Sequence, residues 1–340
     1  MHQLISWLLS IITLFMSVFG AETADKNKYN YPIDSENGGD PFIIETHEGT
    51  YYTFTTGGGI DIKKIKAFDN TETIEQKTVF KAGDNGTIRD IWAPELHKIG
   101  NRWYIISCAY FNPDITEKGT LPYRTDNEEH DDYYRYCFVL ESKTEDIFGD
   151  YEFKGILAPA GMNNIDGTYL KKNDQLYFVT SSYLDVGHQC ITISEMINPY
   201  TLKTDNNGNS ITEILSEPVF FWETKGWKVN EGPAVLYHNN DIFIVYSASG
   251  FSSGDYCLGM LTLTGSDVMN SCSWFKSPTR VLYHRPQHNI YNAGHCNFIY
   301  RDDGTIYMVY HATNSKDFYA SPRLTYIREV KFINNLPFFG

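Results

Sequence analysis

The sequence has few basic residues for its size, and they are not grouped. It contains 28 Lys and Arg residues against 42 Asp and Glu residues, which gives a formal net charge of -14 at pH 7. No segment forms the basic stripe with which proteins bind nucleic acid phosphates or an anionic membrane surface. We therefore expect neither nucleic acid nor membrane as a partner, and a neutral or cationic ligand is favoured.

Closely paired cysteines are also missing. The six cysteines never occur in the C-x-x-C spacing typical of zinc sites, so a zinc centre is not expected. In a secreted chain this even number fits one or two disulfides, and Cys257 and Cys272 are the first candidate pair because they are closest in sequence. Buried free thiols are the alternative, and the sequence leaves both open.

Helical periodicity is almost absent, and a repeated hairpin takes its place. Five times a short strand with Asp, Glu or His near its start is followed by a tight polar turn and a second strand rich in Tyr, Phe and Val. These repeats begin at residues 38, 91, 164, 231 and 294. A hairpin repeated along a whole chain is typical of a β-propeller with one blade per repeat. The sequence therefore predicts an all-β fold, a five-bladed β-propeller in a single domain.

The first twenty residues contain no Lys, Arg, Asp or Glu and end in small residues before a polar stretch. This pattern predicts a secretory signal peptide over residues 1–20, a disordered lead over residues 21–30 and the propeller domain over residues 31–340. An uncleaved anchor is the alternative, since only His2 and the α-amino group provide a positive start. Cleavage would give a secreted, extracellular protein without membrane contact, which we expect to be a monomer.

Three carboxylates stand at the start of the first strand of their repeats, namely Asp40, Asp166 and Glu231. In a propeller the first strands line the central axis, so these three side chains are expected to converge on one pocket. A protonated carboxyl group and an ionised one in the same pocket are the acid and base of a glycosidase. Apolar neighbours of Glu231 would raise its pKa and keep it protonated.

Each acid has a simpler explanation when taken alone. Asp40 follows two glycines and Asp166 precedes one, and Asp is common in such turns. Glu231 could be a surface residue at a strand end. The hypothesis of a catalytic site therefore depends on all three acids together.

Four short motifs occur in the order typical of one enzyme family: GDP at residues 39–41, WAPE at 92–95, NID at 164–166 and NEGP at 230–233. With these motifs the chain resembles glycoside hydrolase family 43, whose members are five-bladed propellers acting on arabinose- and xylose-containing plant polysaccharides. The segments WETKG at 222–226, DYCLGM at 255–260 and PFFG at 337–340 are similar to the exo-acting α-L-arabinofuranosidases of that family.

The resemblance implies a role for each matching residue. It implies that Asp40 is the catalytic base, that Glu231 is the catalytic acid and that Asp166 tunes and orients the acid. Trp92, Asn164, Arg323 and His295 match substrate-binding positions. An inverting mechanism then follows, with the base and acid carboxyl groups about 6.5–9.5 Å apart to leave room for water.

The resemblance implies no required cofactor, although a structural Ca²⁺ on the propeller axis beside His295 is expected in some members. A packed, hydrogen-bonded histidine explains His295 equally well. The predicted reaction is release of terminal α-L-arabinofuranose from arabinan or arabino-oligosaccharides of the plant cell wall. β-Xylosidase or endo-arabinanase activity on the same fold is an alternative, and a carbohydrate-binding propeller without catalysis is another.

Overall fold

The computed structural model describes residues 31–34, 38–83, 86–113, 134–185 and 187–339. The predicted signal peptide (1–20) and lead (21–30) lie outside these residues. None of the described residues lies in an α-helix, so the all-β prediction is confirmed. No helix in this part of the chain has the length and apolar character needed to cross a membrane.

The first two sheets each contain four antiparallel strands in chain order. The first sheet consists of β1 (Phe42–Thr46), β2 (Gly49–Thr56), β3 (Gly59–Ala67) and β4 (Asn70–Lys81). The second consists of β5 (Ile88–Ile99), β6 (Arg102–Phe111), β7 (Arg135–Ser142) and β8 (Tyr151–Leu157). Tight polar turns join the first two strands of each sheet, as the hairpin repeat predicts.

The next two repeats share one sheet of nine strands, because β11 and β14 pair in parallel over two residues. Its first part consists of β9 (Asn164–Lys172), β10 (Gln175–Asp185), β11 (His188–Asn198), β12 (Thr201–Leu202) and β13 (Thr212–Ser216). Its second part consists of β14 (Lys228–His238), β15 (Asp241–Ala248), β16 (Cys257–Leu263) and β17 (Trp274–Lys276). The hydrogen-bonded sheets therefore do not by themselves divide the chain into five units.

The last repeat forms a three-stranded sheet, and the N-terminal segment joins it. The strands are β18 (Tyr291–Tyr300), β19 (Ile306–Thr313) and β20 (Leu324–Glu329), followed by the hairpin of β21 (Lys331–Ile333) and β22 (Leu336–Phe338). Thr325 on β20 exchanges backbone hydrogen bonds with Ile33 and Asp34. The two ends of the described chain are thus held together.

Short 3₁₀ turns occur in the connections between strands. They span Pro159–Gly161, Phe221–Glu223, Ser271–Ser273, Pro286–His288 and Phe318–Ala320. The core lies between neighbouring sheets, where strands such as β15 are buried along almost their whole length. A dense run of β-branched and aromatic residues suits a strand that is covered on both faces.

The first strands of the five repeats, β1, β5, β9, β14 and β18, contact one another in that order, and β18 contacts β1. At or just before the equivalent point of each strand, one residue has a positive φ. These residues are Asp40 (50°), Ala93 (45°), Asp166 (56°), Gly232 (53°) and His295 (42°). Positive φ is uncommon for residues other than glycine and often marks functional positions. The repeats therefore share a left-handed kink at the end where the predicted catalytic residues lie.

Of the two alternatives for the cysteines, the structure has the free thiols and not the disulfides. All six cysteines are free, and every one except Cys272 is buried. Cys257 lies inside β16, where its thiol is directed to the backbone oxygens of Trp222 and Ala248, while Cys272 is exposed in a turn. Closeness in sequence did not bring the two sulfur atoms together, because one belongs to the core and the other to the surface.

Candidate active site

Asp40, Asp166 and Glu231 meet at one end of the ring of first strands, around the imidazole of His295. His295 Nδ1 lies 3.3 Å from Asp40 Oδ1 and 3.9 Å from Asp166 Oδ2. The backbone N–H of Gly232, the residue after Glu231, donates to Asp166 Oδ2 over 3.0 Å. Three repeats thus supply the carboxyl groups, and the fifth supplies the imidazole between two of them.

Gly232 suits this close approach. Its φ of 53° is in the left-handed region, which a residue with a Cβ adopts only with strain. A Cβ at this position would lie 3.1 Å from His295 Nδ1 and 3.2 Å from Ser247 Oγ. The glycine therefore lets β14 pass directly beside the imidazole, at the point where its backbone N–H donates to Asp166 Oδ2.

Asp40 is surrounded by cationic and hydrogen-bonding groups. Arg323 Nη1 donates to Asp40 Oδ1 over 2.9 Å, and the Asp40 backbone N–H donates to His311 Nδ1 over 3.2 Å. Burial alone would raise the pKa of Asp40, but the charges of Arg323 and His295 together lower it well below its usual value. Asp40 is consequently ionised at neutral pH.

Glu231 has the opposite environment. It is 9% exposed, and burial together with the charge of Asp166 raises its pKa to about 8. Tyr256 donates to Glu231 Oε1 over 2.7 Å and Gln189 Nε2 donates to Oε2 over 3.3 Å. The hydrogen bond from Tyr256 lowers the pKa but does not outweigh burial. Glu231 is therefore mainly protonated at neutral pH.

Asp166 lies between these extremes. Burial is the largest influence on it and, with the charges of Asp40 and Glu95, raises its pKa to about 6, against the opposing effects of His295 and the Gly232 N–H. Asp166 and Glu231 interact strongly, so their protons are lost in steps that belong to the pair. At pH 7 the favoured state has Asp166 ionised and Glu231 protonated.

The pKa values of the two histidines of the site are shifted in opposite directions. Burial lowers the pKa of His295, but the charges of Asp40, Asp166 and other carboxylates together raise it above its usual value. Burial lowers the pKa of His311 to about 4, so this ring is neutral at pH 7. A neutral His311 fits its role as acceptor for the Asp40 N–H. His295 supplies a partly cationic group between Asp40 and Asp166.

Arg323 and Trp92, two of the predicted substrate-binding residues, have different surroundings. Arg323 contacts Asp40 directly, as described above. Trp92 is 40% exposed, and the guanidinium of Arg135 stacks 3.3 Å from the centroid of its ring. Arg135 also donates to the Asp90 backbone oxygen. A ring held from behind by a buried cation can present its other face to a ligand.

Asn164, another predicted binding residue, lies in the interior of the protein. It is fully buried, and its side-chain amide bonds the backbone of Cys137, Leu157 and Met162. The bonds to Cys137 and Leu157 connect β9 with the second sheet. Asn164 stands two residues before Asp166 in the NID motif, and its amide satisfies buried backbone groups.

Sequence reasoning did not identify Tyr256, Gln189 and His311 as site residues. Tyr256 lies in the DYCLGM segment, and His311 stands opposite Gly294 in the hairpin of β18 and β19. That pairing with the predicted axial segment was a usable signal for His311. No comparable signal marked Gln189, because its contact with Glu231 depends on the short parallel pairing of β11 and β14.

A buried ion pair supports the strand that contains Glu231. Glu223 is fully buried and contacts Lys276 Nζ at 2.7 Å. Glu223 Oε1 also accepts from Asn230 Nδ2 over 3.0 Å and from the Tyr246 hydroxyl over 2.9 Å. Asn230 directly precedes Glu231. The network therefore fixes the backbone from which the Glu231 side chain projects.

The fit of the site to a calcium ion is poor. Calcium prefers six to eight oxygen ligands. Among the side chains that the structure describes, no group of three His, Cys, Asp or Glu residues could hold a metal ion. The imidazole of His295 is directed to two carboxylates, Asp40 and Asp166, that already have other partners.

The sequence matches a known protein family and is similar to several named proteins. Residues 29–337 match the family described as Glycosyl hydrolases family 43. An extracellular exo-α-(1→5)-L-arabinofuranosidase from Streptomyces avermitilis is 30% identical over 298 residues, which cover 85% of this chain and 57% of that protein. A protein of the same name from Streptomyces chartreusis is 32% identical over 294 residues, covering 83% of this chain and 82% of that protein.

A solved structure extends the similarity to three dimensions. The crystal structure of α-L-arabinofuranosidase from Lactobacillus brevis has a TM-score of 0.76 and 28% sequence identity, and the alignment covers 94% of this chain and 98% of that one. The chain thus matches the whole length of that structure but only about half of the length of the Streptomyces avermitilis relative.

The opposite pKa shifts predict opposite effects on stability. A carboxyl group whose pKa is raised on folding destabilises the fold increasingly as pH rises from its unfolded value towards its folded value. For Glu231 this window runs from about pH 4.5 to about pH 8. Glu231→Gln should therefore raise the melting temperature at pH 7 by roughly 2–4 °C or more, with little change near pH 4.

Asp40→Asn is the matched comparison, because the depressed pKa of Asp40 stabilises the fold at all pH values above the usual range of an aspartate. We expect this variant to melt at a lower temperature than wild type at pH 7. The measurement is thermal unfolding of the three proteins at pH 4 and pH 7. Equal shifts for both variants would contradict the assigned charge states.

Proposed function

Because the chain belongs to family 43 of the glycosyl hydrolases, we propose that it is an inverting glycoside hydrolase that releases terminal α-L-arabinofuranose from arabinan or arabino-oligosaccharides. The proposal rests on one observation above all. A single buried cluster contains an ionised carboxylate, Asp40, and a carboxyl group, Glu231, whose pKa is raised to about 8. That pair has the charge states that base and acid need at neutral pH.

In the proposed reaction Asp40 removes a proton from a water molecule on one face of the sugar. The water oxygen forms a bond to the anomeric carbon while the bond to the leaving oxygen breaks, and Glu231 donates its proton to that oxygen. The configuration at the anomeric carbon is inverted. The products are free arabinose and the shortened sugar chain, and a net proton transfer through solvent restores both carboxyl groups.

Other residues of the cluster set up these charge states. Arg323 keeps Asp40 ionised and limits its rotation through the hydrogen bond to Oδ1. We propose that Asp166 keeps Glu231 protonated through its negative charge, and that Tyr256 holds the Glu231 carboxyl in position. Trp92, stacked on Arg135, is the proposed apolar wall against which the terminal sugar packs.

The choice of arabinose rests on the relatives. Two curated proteins with about 30% identity and one solved structure are named arabinofuranosidases. We propose arabinose-containing polysaccharide of plant cell walls as the substrate. Because both Streptomyces relatives are named extracellular, we also propose that the chain is secreted.

We further propose that residues 31–340 form one catalytic domain with the five blades of a propeller, and that it is a monomer. The ring of contacts among the five first strands and the five left-handed residues support this count. The reaction proposed above uses no organic cofactor. An axial calcium ion beside His295 stays a prediction, to be checked by metal analysis of the purified protein.

The proposal predicts a leaving-group dependence for Glu231→Gln. Without an acid, hydrolysis of an α-1,5-linked arabino-oligosaccharide should slow by roughly 10²–10⁴-fold, because its alkoxide is a poor leaving group. A dinitrophenyl arabinofuranoside needs little protonation, so its rate should fall less than about ten-fold. The measurement is kcat/KM on both substrates, with a xylo-oligosaccharide as specificity control.

Equal losses on both arabinosides would contradict the assignment of Glu231 as acid. Preferred cleavage of the xylo-oligosaccharide by the wild type would replace arabinose by xylose in the proposal. Binding of arabino-oligosaccharide without any product would favour a carbohydrate-binding protein.

Asp166→Asn should move the basic limb of the pH profile. Activity requires protonated Glu231 and therefore declines above its pKa of about 8. Loss of the negative charge of Asp166 lowers that pKa, so the basic limb of kcat/KM should shift to lower pH by roughly one unit. The amide can still accept from the Gly232 N–H.

Asp90→Asn is the matched control, since Asp90 also has a positive φ, of 52°, but is exposed and outside the cluster. Its pH profile should equal that of wild type. A basic limb that does not move in Asp166→Asn would show that Asp166 does not tune the acid.

A further inference from the structure

An aromatic surface that the proposed reaction does not use lies on segments that adjoin the strands of the carboxyl cluster. Trp227, Phe251, Phe318 and Tyr319, which we name the aromatic ridge, contact one another in series. Their ring centroids are 6.1, 5.2 and 5.4 Å apart. Trp227 is 51% exposed, Phe251 40% and Tyr319 83%. Single exposed aromatics are ordinary, but a connected series is typical of an interaction surface.

The ridge segments that contain Trp227 and Phe251 adjoin β14 and β15 at the end of these strands where Glu231 lies. Glu231 pairs with Ser247 and Asn230 with Ala248, so the connection that contains Phe251 begins beside the predicted acid. The same connection ends at Tyr256, which donates to Glu231. Trp227 precedes Glu231 by only four residues in the chain.

The third segment of the ridge, which contains Phe318 and Tyr319, begins and ends near residues that contact Asp40. It follows β19, on which His311 accepts from the Asp40 N–H, and it contains Phe318 and Tyr319. It ends at Arg323, which donates to Asp40. Five residues of extended chain span at most roughly 18 Å. The whole ridge therefore lies within a few sugar lengths of the carboxyl cluster.

Close backbone contacts fix the first ring of the ridge, that of Trp227. Trp227 is seated between two glycines: a Cβ at Gly187 would lie 3.3 Å from Trp227 Cδ1, and one at Gly250 would lie 3.1 Å from Cε3. The Gly250 N–H donates to the Lys225 oxygen over 2.8 Å, which ties the first two segments together. Rings held in this way lose little conformational entropy when a ligand binds.

We propose that the aromatic ridge binds the sugar residues on the leaving-group side of a polysaccharide chain, which makes it a binding surface for neutral glycans beyond the scissile bond. This inference rests on the proposed function. Glu231 protonates the leaving oxygen, so the sugars attached to that oxygen must lie on the side of Glu231, where Trp227 and Phe251 begin the ridge.

The chemistry of the ridge fits a neutral sugar chain. The apolar C–H groups of a sugar ring pack against aromatic faces, while its hydroxyl groups stay in water. The chain has a formal net charge of -14, which disfavours acidic polymers as ligands. A long arabinan would gain contacts along the ridge that a short aryl glycoside cannot reach.

The test uses the double variant Phe251→Ala/Tyr319→Ala, with Phe221→Ala as matched control. Phe221 is an aromatic residue that is 79% exposed, and its ring lies 3.1 Å from Lys225 Nζ. For the double variant, kcat/KM on linear arabinan should fall roughly ten-fold through KM. Its kcat/KM on an aryl arabinofuranoside should stay within about two-fold of wild type. The control should change neither value.

Binding is measured separately, by the retardation of each protein in native gels containing arabinan or xylan. Retardation of the wild type and of Phe221→Ala, but not of the double variant, supports the ridge even if arabinan is not hydrolysed, which separates this proposal from the proposed function. Equal retardation of wild type and double variant overturns it. A wild-type dimer that the double variant converts to a monomer would also overturn it, because the ridge would then be a protein interface.

Discussion

The site depends on one electrostatic constraint: three carboxyl groups share a buried pocket that has too few cations to keep all of them ionised. Arg323 donates to Asp40, and His295 lies nearer to Asp40 than to Asp166. The cationic charge is therefore concentrated at one carboxylate, whose pKa falls, while burial raises the pKa of the other two. The unequal distribution of positive charge gives chemically identical groups different protonation states.

The fold maintains this cluster at a cost in stability. Asp40, Asp166 and His295 all have positive φ, and burial holds Glu231 protonated at a pH where the unfolded chain would ionise it, which costs stability. The surrounding structure compensates for this strain. The buried pair of Glu223 and Lys276 holds Asn230 and, through it, the backbone of Glu231. Breaking such a pair leaves a buried charge without a partner, so the support is itself sensitive to mutation.

Much of the fold and the outline of the site could be predicted from the sequence, since the hairpin repeat fixes where each first strand begins. Asp40 and Asp166 stand at the same place in their repeats and share a positive φ. Contacts between distant segments could not be predicted in this way. The hydrogen bond from Gln189 to Glu231 depends on how two repeats pair. The motif that contains Asn164 likewise did not reveal that its side-chain amide hydrogen-bonds buried backbone groups. The separation of Cys257 from Cys272 and the contact between Phe251 and Phe318 are likewise products of packing between elements.

The central claim is that an ionised Asp40 and a protonated Glu231 act on opposite faces of the sugar. The most direct measurement is the anomeric form of the arabinose first released from α-1,5-linked arabinotriose, followed by proton NMR before mutarotation proceeds. Inversion predicts that the β anomer is formed first and that the α anomer grows in later. Initial release of the α anomer would mean that a carboxylate attacks the sugar itself, and it would contradict the assignment of Asp40 as a base that activates water.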